Sequence, residues 1–169
     1  MIVVQVLVSY GSKRGGMAGL AEMIGRDLEA AGVHATVESA RSVQSIDGVD
    51  AVVLAGALYA SRWHRDARRF AKRFATELRK RPVWVVSSGP LDDTAITKQF
   101  PPVRQDASVI DALHARGHVT FGGRLESGAK GFPASAMAKK LAGDWRDEEH
   151  VQRWTSSIVE ELDRVGPAA

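Results

Sequence analysis

The residues with the greatest concentration of chemical capacity run from Ser9 to Met17, in the order Ser-Tyr-Gly-Ser-Lys-Arg-Gly-Gly-Met. Gly11, Gly15 and Gly16 leave backbone N–H groups unobstructed by large side chains. Ser9 and Ser12 add hydroxyls, Lys13 and Arg14 add cations, and a helical pattern follows directly. Bare amides, cations and a helix amino terminus are the parts of a phosphate cradle. Two commoner cradles are excluded, because no Gly-Lys-Ser/Thr closes a Walker motif and Gly-x-Gly-x-x-Gly does not occur here. Other chemistries find little support. Without cysteine there is no thiolate nucleophile, disulfide or Cys-based metal site. His114 and His118 are separated by Gly117, which ends the intervening helix. Glu148-Glu149 suits a helix start, where the dipole explains paired acids. No catalytic residue and no metal ligand is assigned.

The elements that must position the cradle follow from periodicity. A β-branched run from Val3 to Val8 predicts a strand, and Met17, Leu20, Ala21, Ile24 and Leu28 recur at helical spacing up to Gly32, which fits the position just past a helix end. Strands are predicted over 33–38, 50–55, 83–88 and 118–125, the last interrupted by Gly122-Gly123. The 50–55 run is apolar on both faces, as the centre of a parallel sheet requires. Helices are predicted over 64–81, where Ala67, Phe70, Phe74 and Leu78 form the packing stripe and the arginines a solvated face, over 107–116, and from an N-cap at Asp147 onward. The stretch 98–105, with Pro101-Pro102, reads as irregular. An insertion over 126–143 carries a helical turn at 134–141. Five strands alternating with helices make an α/β, doubly wound parallel sheet, and the arrangement with strand order 2-1-3-4-5 binds ligands where the first strand meets the third. Two more loops reach that edge, Gly56 to Trp63 and Gly89 to Thr94.

Composition sets outer bounds. At 169 residues, with 44% hydrophobic and 25% charged residues, the chain is expected to be one soluble domain over 1–169. No apolar run is long enough to span a membrane and no export signal is visible, so the expected location is cytoplasmic. A net charge of +3 is dispersed, without interleaved aromatics or a reader motif, and nucleic-acid binding is not expected.

Four segments, Tyr10-Gly-Ser-Lys-Arg-Gly-Gly16, Ala57-Leu-Tyr-Ala with Arg62-Trp63, Ser87-Ser-Gly-Pro-Leu91, and Gly143-Asp-Trp-Arg-Asp147 ahead of Trp154, occur in the order seen in one family. The chain resembles the flavodoxin-like proteins of the menaquinone-dependent protoporphyrinogen dehydrogenase type and their actinobacterial relatives, over nearly its whole length. The resemblance implies FMN as cofactor, with its phosphate on Ser12, Lys13, Arg14, Gly15, Gly16 and Met17. It also implies an isoalloxazine between Ala57, Leu58, Tyr59, Ala60 and Ser61 on one side and Ser88, Gly89, Pro90, Leu91 and Asp92 on the other. Tyr59 and Trp63 fit either a flavin contact or core cover, and Asp92-Asp93 either a flavin-edge contact or a turn. Two departures stand out. Met17 stands where the family has Thr, and Ala55-Gly56 where it has Gly-Ser. Each removes a hydroxyl, at about 0.5 to 1.5 kcal/mol per hydrogen bond, so FMN should be weakened by about one to two orders of magnitude, and Met17→Thr should tighten it.

The function implied is an FMN-dependent oxidoreductase passing electrons or hydride between a small-molecule substrate and an acceptor such as a quinone. The insertion corresponds to a family segment associated with quinone or membrane contact, but Glu126, Lys130, Lys139 and Lys140 make stable membrane insertion unexpected. A monomer or homodimer is expected. The alternatives are an electron shuttle of the flavodoxin kind, and a binding module of the same fold that has lost FMN.

Overall fold

In a computed structural model the described residues are 3–12, 15–59, 62–89, 104–121, 124–125, 143–144 and 148–165. Strand β1 spans Gln5–Gly11 and leads into helix α1, Gly15–Ala30. Strand β2 (His34–Ser39) follows, then β3 (Ala51–Tyr59), a two-residue strand β4 (Arg62–Trp63), helices α2 (Arg65–Arg73) and α3 (Ala75–Leu78), and β5 (Val83–Ser88). Helix α4 (Arg104–Leu113), β6 (Gly117–Phe121), β7 (Arg124–Leu125), β8 (Gly143–Asp144) and helix α5 (Glu148–Val165) complete the order.

The main sheet runs β2-β1-β3-β5-β6, all parallel, with β4 attached antiparallel to the end of β3. Counting only the parallel strands, this is the expected order 2-1-3-4-5. The switch lies between β1 and β3, whose carboxyl ends are the place where sheets of this order bind ligands. At the opposite end, Gln5 N–H donates to Asp50 Oδ2 at 2.8 Å and Asp50 N–H to Gln5 O at 2.8 Å, fixing the register of the central pair.

Strand alternation sorts the core into two layers. Val6, Val8, Val53, Ala55 and Val86 face α1 and α5 and pack on Leu20, Ile24, Leu28, Val151, Ile158 and Leu162. Leu7, Val52, Leu54 and Val85 face the other way, onto Phe70, Phe74, Leu78, Val109 and Leu113. Fully burying one such side chain contributes about 1.5 to 3 kcal/mol, and both helix layers are held chiefly in this way. Between α1 and α5, burial raises the pKa of Asp27 above the ordinary carboxylate value; Arg26 opposes the shift and Glu148, at the start of α5, adds to it.

Several boundaries differ from the sequence reading, among them the helix expected over 107–116, which runs over Arg104–Leu113 and takes in residues 104–105 of the stretch read as irregular. The third strand continues past Ala55 to Tyr59, because β4 returns beside it and pairs Leu58 with Trp63 and Tyr59 with Arg62. The helix expected over 64–81 breaks at Phe74, whose backbone leaves helical geometry with φ −104° and ψ 19°. The strand expected over 118–125 is two strands, one on either side of Gly122-Gly123, and the second pairs antiparallel with Gly143–Asp144 instead of extending the main sheet. The expected helical turn at 134–141, the Pro101-Pro102 stretch and the N-cap at Asp147 lie outside the described residues.

Candidate functional site at the carboxyl edge of the sheet

The site is assembled by four strand ends in register. Gly11 of β1 is level with Gly56 of β3, Gly56 with Ser87 of β5, and Ser87 with Thr120 of β6. This row lies on the α2 face and carries almost no side-chain bulk near the switch. The bulk comes from above. The indole of Trp63, 1% exposed, occupies the space that a Cβ at Gly56 would enter. A Cβ at Gly11 would stand 2.8 Å from the backbone nitrogen of Ala67 and 3.0 Å from His64 Nδ1. Both glycines are required by close approach, since the start of α2 is pressed onto the ends of β1 and β3.

His64 is the N-cap of α2. Its Nδ1 accepts a hydrogen bond from Asp66 N–H at 3.1 Å, which leaves the proton of the neutral ring on Nε2. Asp66 Oδ2 is 3.9 Å from the same nitrogen. Arg68 Nε donates to Trp63 O at 3.2 Å, tying the first turn of α2 back to β4. On the same face, Ser87 Oγ and His118 Nε2 share a hydrogen bond of 3.1 Å that joins the last two strands beneath the rim.

The described residues of the expected phosphate cradle lie at the junction of β1 and α1. β1 ends at Gly11, Ser12 is half-buried, and α1 opens on Gly15-Gly16 with no acidic residue in its first turn. A helix amino terminus without side chains over its first two amides and without competing carboxylates favours an anion. Met17 differs in role, because its side chain is only 2% exposed and packs in the layer beneath α1. It can offer a ligand only its backbone. Ser9 is likewise no part of the loop. It lies inside β1, fully buried, and its hydroxyl has no hydrogen-bond partner among the described residues.

The other two segments meet across the β3–β5 boundary. Ala57 is in register with Ser88, and a Cβ at Gly89 would stand 2.9 Å from Leu58 Cδ1, so the two walls touch there. Gly89 N–H donates to Phe121 O at 3.0 Å, which holds the end of β5 to β6. Ala57, Leu58 and the backbone of Tyr59 belong to β3 and not to a loop. Lys13, Arg14, Ala60, Ser61, Pro90, Leu91 and Asp92 lie outside the described residues, as does the side chain of Tyr59. The question left open for Trp63 is answered by its burial, for it covers core. The capping role of His64 was legible from its place before a helical stripe. The Ser87–His118 pair was missed, although aligning the two strand patterns puts both residues on one face.

Among the described residues no three His, Asp or Glu side chains gather as a metal site would need, and no helix is long and apolar enough to cross a membrane.

Solved structures share this architecture. A flavodoxin from Pseudomonas aeruginosa superposes with a TM-score of 0.58 at 14% identity, covering 91% of this chain and 98% of its own. A short-chain flavodoxin associated with a non-canonical PDU bacterial microcompartment gives 0.61 at 13% identity, covering 94% and 99%. A flavodoxin from Streptococcus pneumoniae gives 0.58 at 15% identity, again covering 94% and 99%. At these identities the likeness is one of fold. No curated protein matches the sequence. The flavodoxin domain matches residues 7–129, from inside β1 to beyond β7, and so takes in every strand end of the candidate site. A match over most of the chain, on the strand order and the ligand edge described above, makes this protein a member of the flavodoxin domain family.

Proposed function

We propose that this chain is an FMN-dependent redox protein of one domain, working in the cytoplasm as a monomer or homodimer. The observation that carries the reading is the junction of β1 and α1, where an anion-favouring helix amino terminus stands at the switch between β1 and β3. The residues present fit FMN. Ser12 and the amides of Gly15, Gly16 and Met17 would hold its phosphate, with Lys13 and Arg14 balancing the charge. Ala57 to Ser61 and Ser88 to Asp92 would flank its ring. When bound, FMN supplies the electron or hydride chemistry, and the protein supplies orientation and tunes the potential. The chain itself needs no nucleophile. Its groups bind and orient the cofactor and limit water at the ring.

At finer grain the reading is an oxidoreductase similar to the menaquinone-dependent protoporphyrinogen dehydrogenases, with a quinone as acceptor. The four sequence segments shared with those proteins support it. A shuttle role is its rival, distinguished by whether reduced protein turns over a small quinone without a partner protein. Titration with FMN is the test of the common core. Saturable binding with one FMN per chain and a flavin absorption spectrum is expected. No saturation at tens of micromolar would leave a flavodoxin-fold binding module, for which the buried Met17 side chain and the Trp63-filled space over Gly56 would account.

A further inference from the structure

Helix α2 carries its apolar stripe on Ala67, Phe70 and Ala71, all buried. At 100° per residue, Arg65, Arg69 and Lys72 fall opposite that stripe, at the centre of the outward face, while Arg68 and Arg73 fall on its flanks. The flanking pair are occupied. Arg68 holds Trp63 O, and Arg73 donates to Val43 O and Gln44 O at 3.2 Å each, pinning the turn after β2. The central three have no hydrogen bond or ion pair among the described residues, and neither has Arg62, exposed on β4. Asp66 is half-buried beside His64, which leaves the outward face of α2 without an acid.

These four cations begin at the rim of the site. Arg62 pairs through its backbone with Tyr59, the last residue of the β3 wall, and Arg65 opens the helix two residues beyond Trp63. Arg65 to Lys72 alone spans about 10 Å at about 1.5 Å per residue. That is longer than a single carboxylate or phosphate and suits a surface. Three of the four are arginines, whose planar forks match carboxylates. A lipid surface is disfavoured because every large apolar side chain of α2 points into the core, leaving no wedge for an interface.

We infer that Arg62, Arg65, Arg69 and Lys72 form a docking surface for a redox partner protein with a carboxylate-rich face, placed to bring that partner to the rim beside β3. The redox part rests on the FMN reading; the surface itself does not. Free cations of this kind act mainly on encounter rate, with salt-dependent gains of about 10- to 1,000-fold.

Two haem proteins of opposite surface charge serve as probes, cytochrome b5 (acidic) and cytochrome c (basic), each ferric haem taking one electron from FMN-loaded protein reduced by dithionite. Raising ionic strength from about 20 mM to about 0.5 M should slow transfer to cytochrome b5 at least tenfold and leave transfer to cytochrome c unchanged or faster. In the variant R62E/R65E/R69E/K72E the two salt dependences should exchange, with the FMN dissociation constant and thermal midpoint unchanged. Retention of cytochrome b5 on immobilised protein at low salt, lost in the variant, checks the surface without any cofactor. If FMN fails to bind but this retention is seen, the redox reading falls and the surface stands. If FMN binds and the variant keeps the native salt dependences, the inference is overturned. Equally fatal is retention of phosphatidylglycerol vesicles, abolished in the variant, while cytochrome b5 is not retained.

Discussion

The indole of Trp63 stands where a side chain at Gly56 would be, so the strand end and the residue above it share one space. The missing hydroxyl at position 56 is therefore not an isolated loss. Gly56→Ser should not restore FMN affinity; it should destabilise the fold by about 1 to 3 kcal/mol, as overpacking does. Adding Trp63→Leu should recover much of the cost, giving a coupling of about 1 kcal/mol or more between the two positions in denaturant unfolding. Additive effects would mean that the two residues do not compete for space.

Gly11→Ala should be worse tolerated than a typical surface change. The nearest atom to the new Cβ is the backbone nitrogen of Ala67, which cannot rotate away as a side-chain tip can. The expected loss is about 2 kcal/mol or more, with α2 displaced from β1. Urea unfolding measures the first, and a lowered FMN affinity reports the second.

Met17→Thr separates packing from binding. Removing a side chain that is 2% exposed should cost about 2 kcal/mol of stability. The new hydroxyl, at the first turn of α1, should tighten FMN several-fold through one added hydrogen bond. Paired unfolding and FMN titrations read both effects. An unchanged or weaker FMN dissociation constant would show that the hydroxyl has no access to the phosphate.

Asp27 gives a pH signature of definite sign. Its folded-state pKa is raised, so folding favours the protonated form, and its stabilising share is present at low pH and lost as pH rises through the folded value. Asp27→Asn, which mimics the neutral acid, should raise the thermal midpoint at pH 7. The gain should disappear once the medium is acid enough to protonate the wild-type residue in both states. A variant less stable than wild type at pH 7 contradicts this account.

Much of this fold was legible because the central strands β1, β3 and β5 are apolar runs buried on both faces and the helices carry apolar stripes. Val6 to Val8 and Val83 to Val86 admit one reading, and Gly32, at φ +86°, marks the turn after α1. The end of β3 was hidden, since Gly56-Ala57-Leu58-Tyr59 has loop-like small residues and becomes strand only through pairing with β4. The break at Phe74 was equally hidden, because the apolar spacing continues across it from Phe70 to Leu78. At the site, the glycines announced closeness without saying to what. Only tertiary packing reveals that Ala67 and Trp63 are the neighbours.

The short ladder between Arg124–Leu125 and Gly143–Asp144 fixes the departure and return of the intervening chain side by side. Both ends of any segment between those two points lie at that ladder, and lengthening a closed loop costs only about 0.6 kcal/mol per doubling. A change of length between those two points is therefore inexpensive in closure entropy, whether evolution or an engineer makes it.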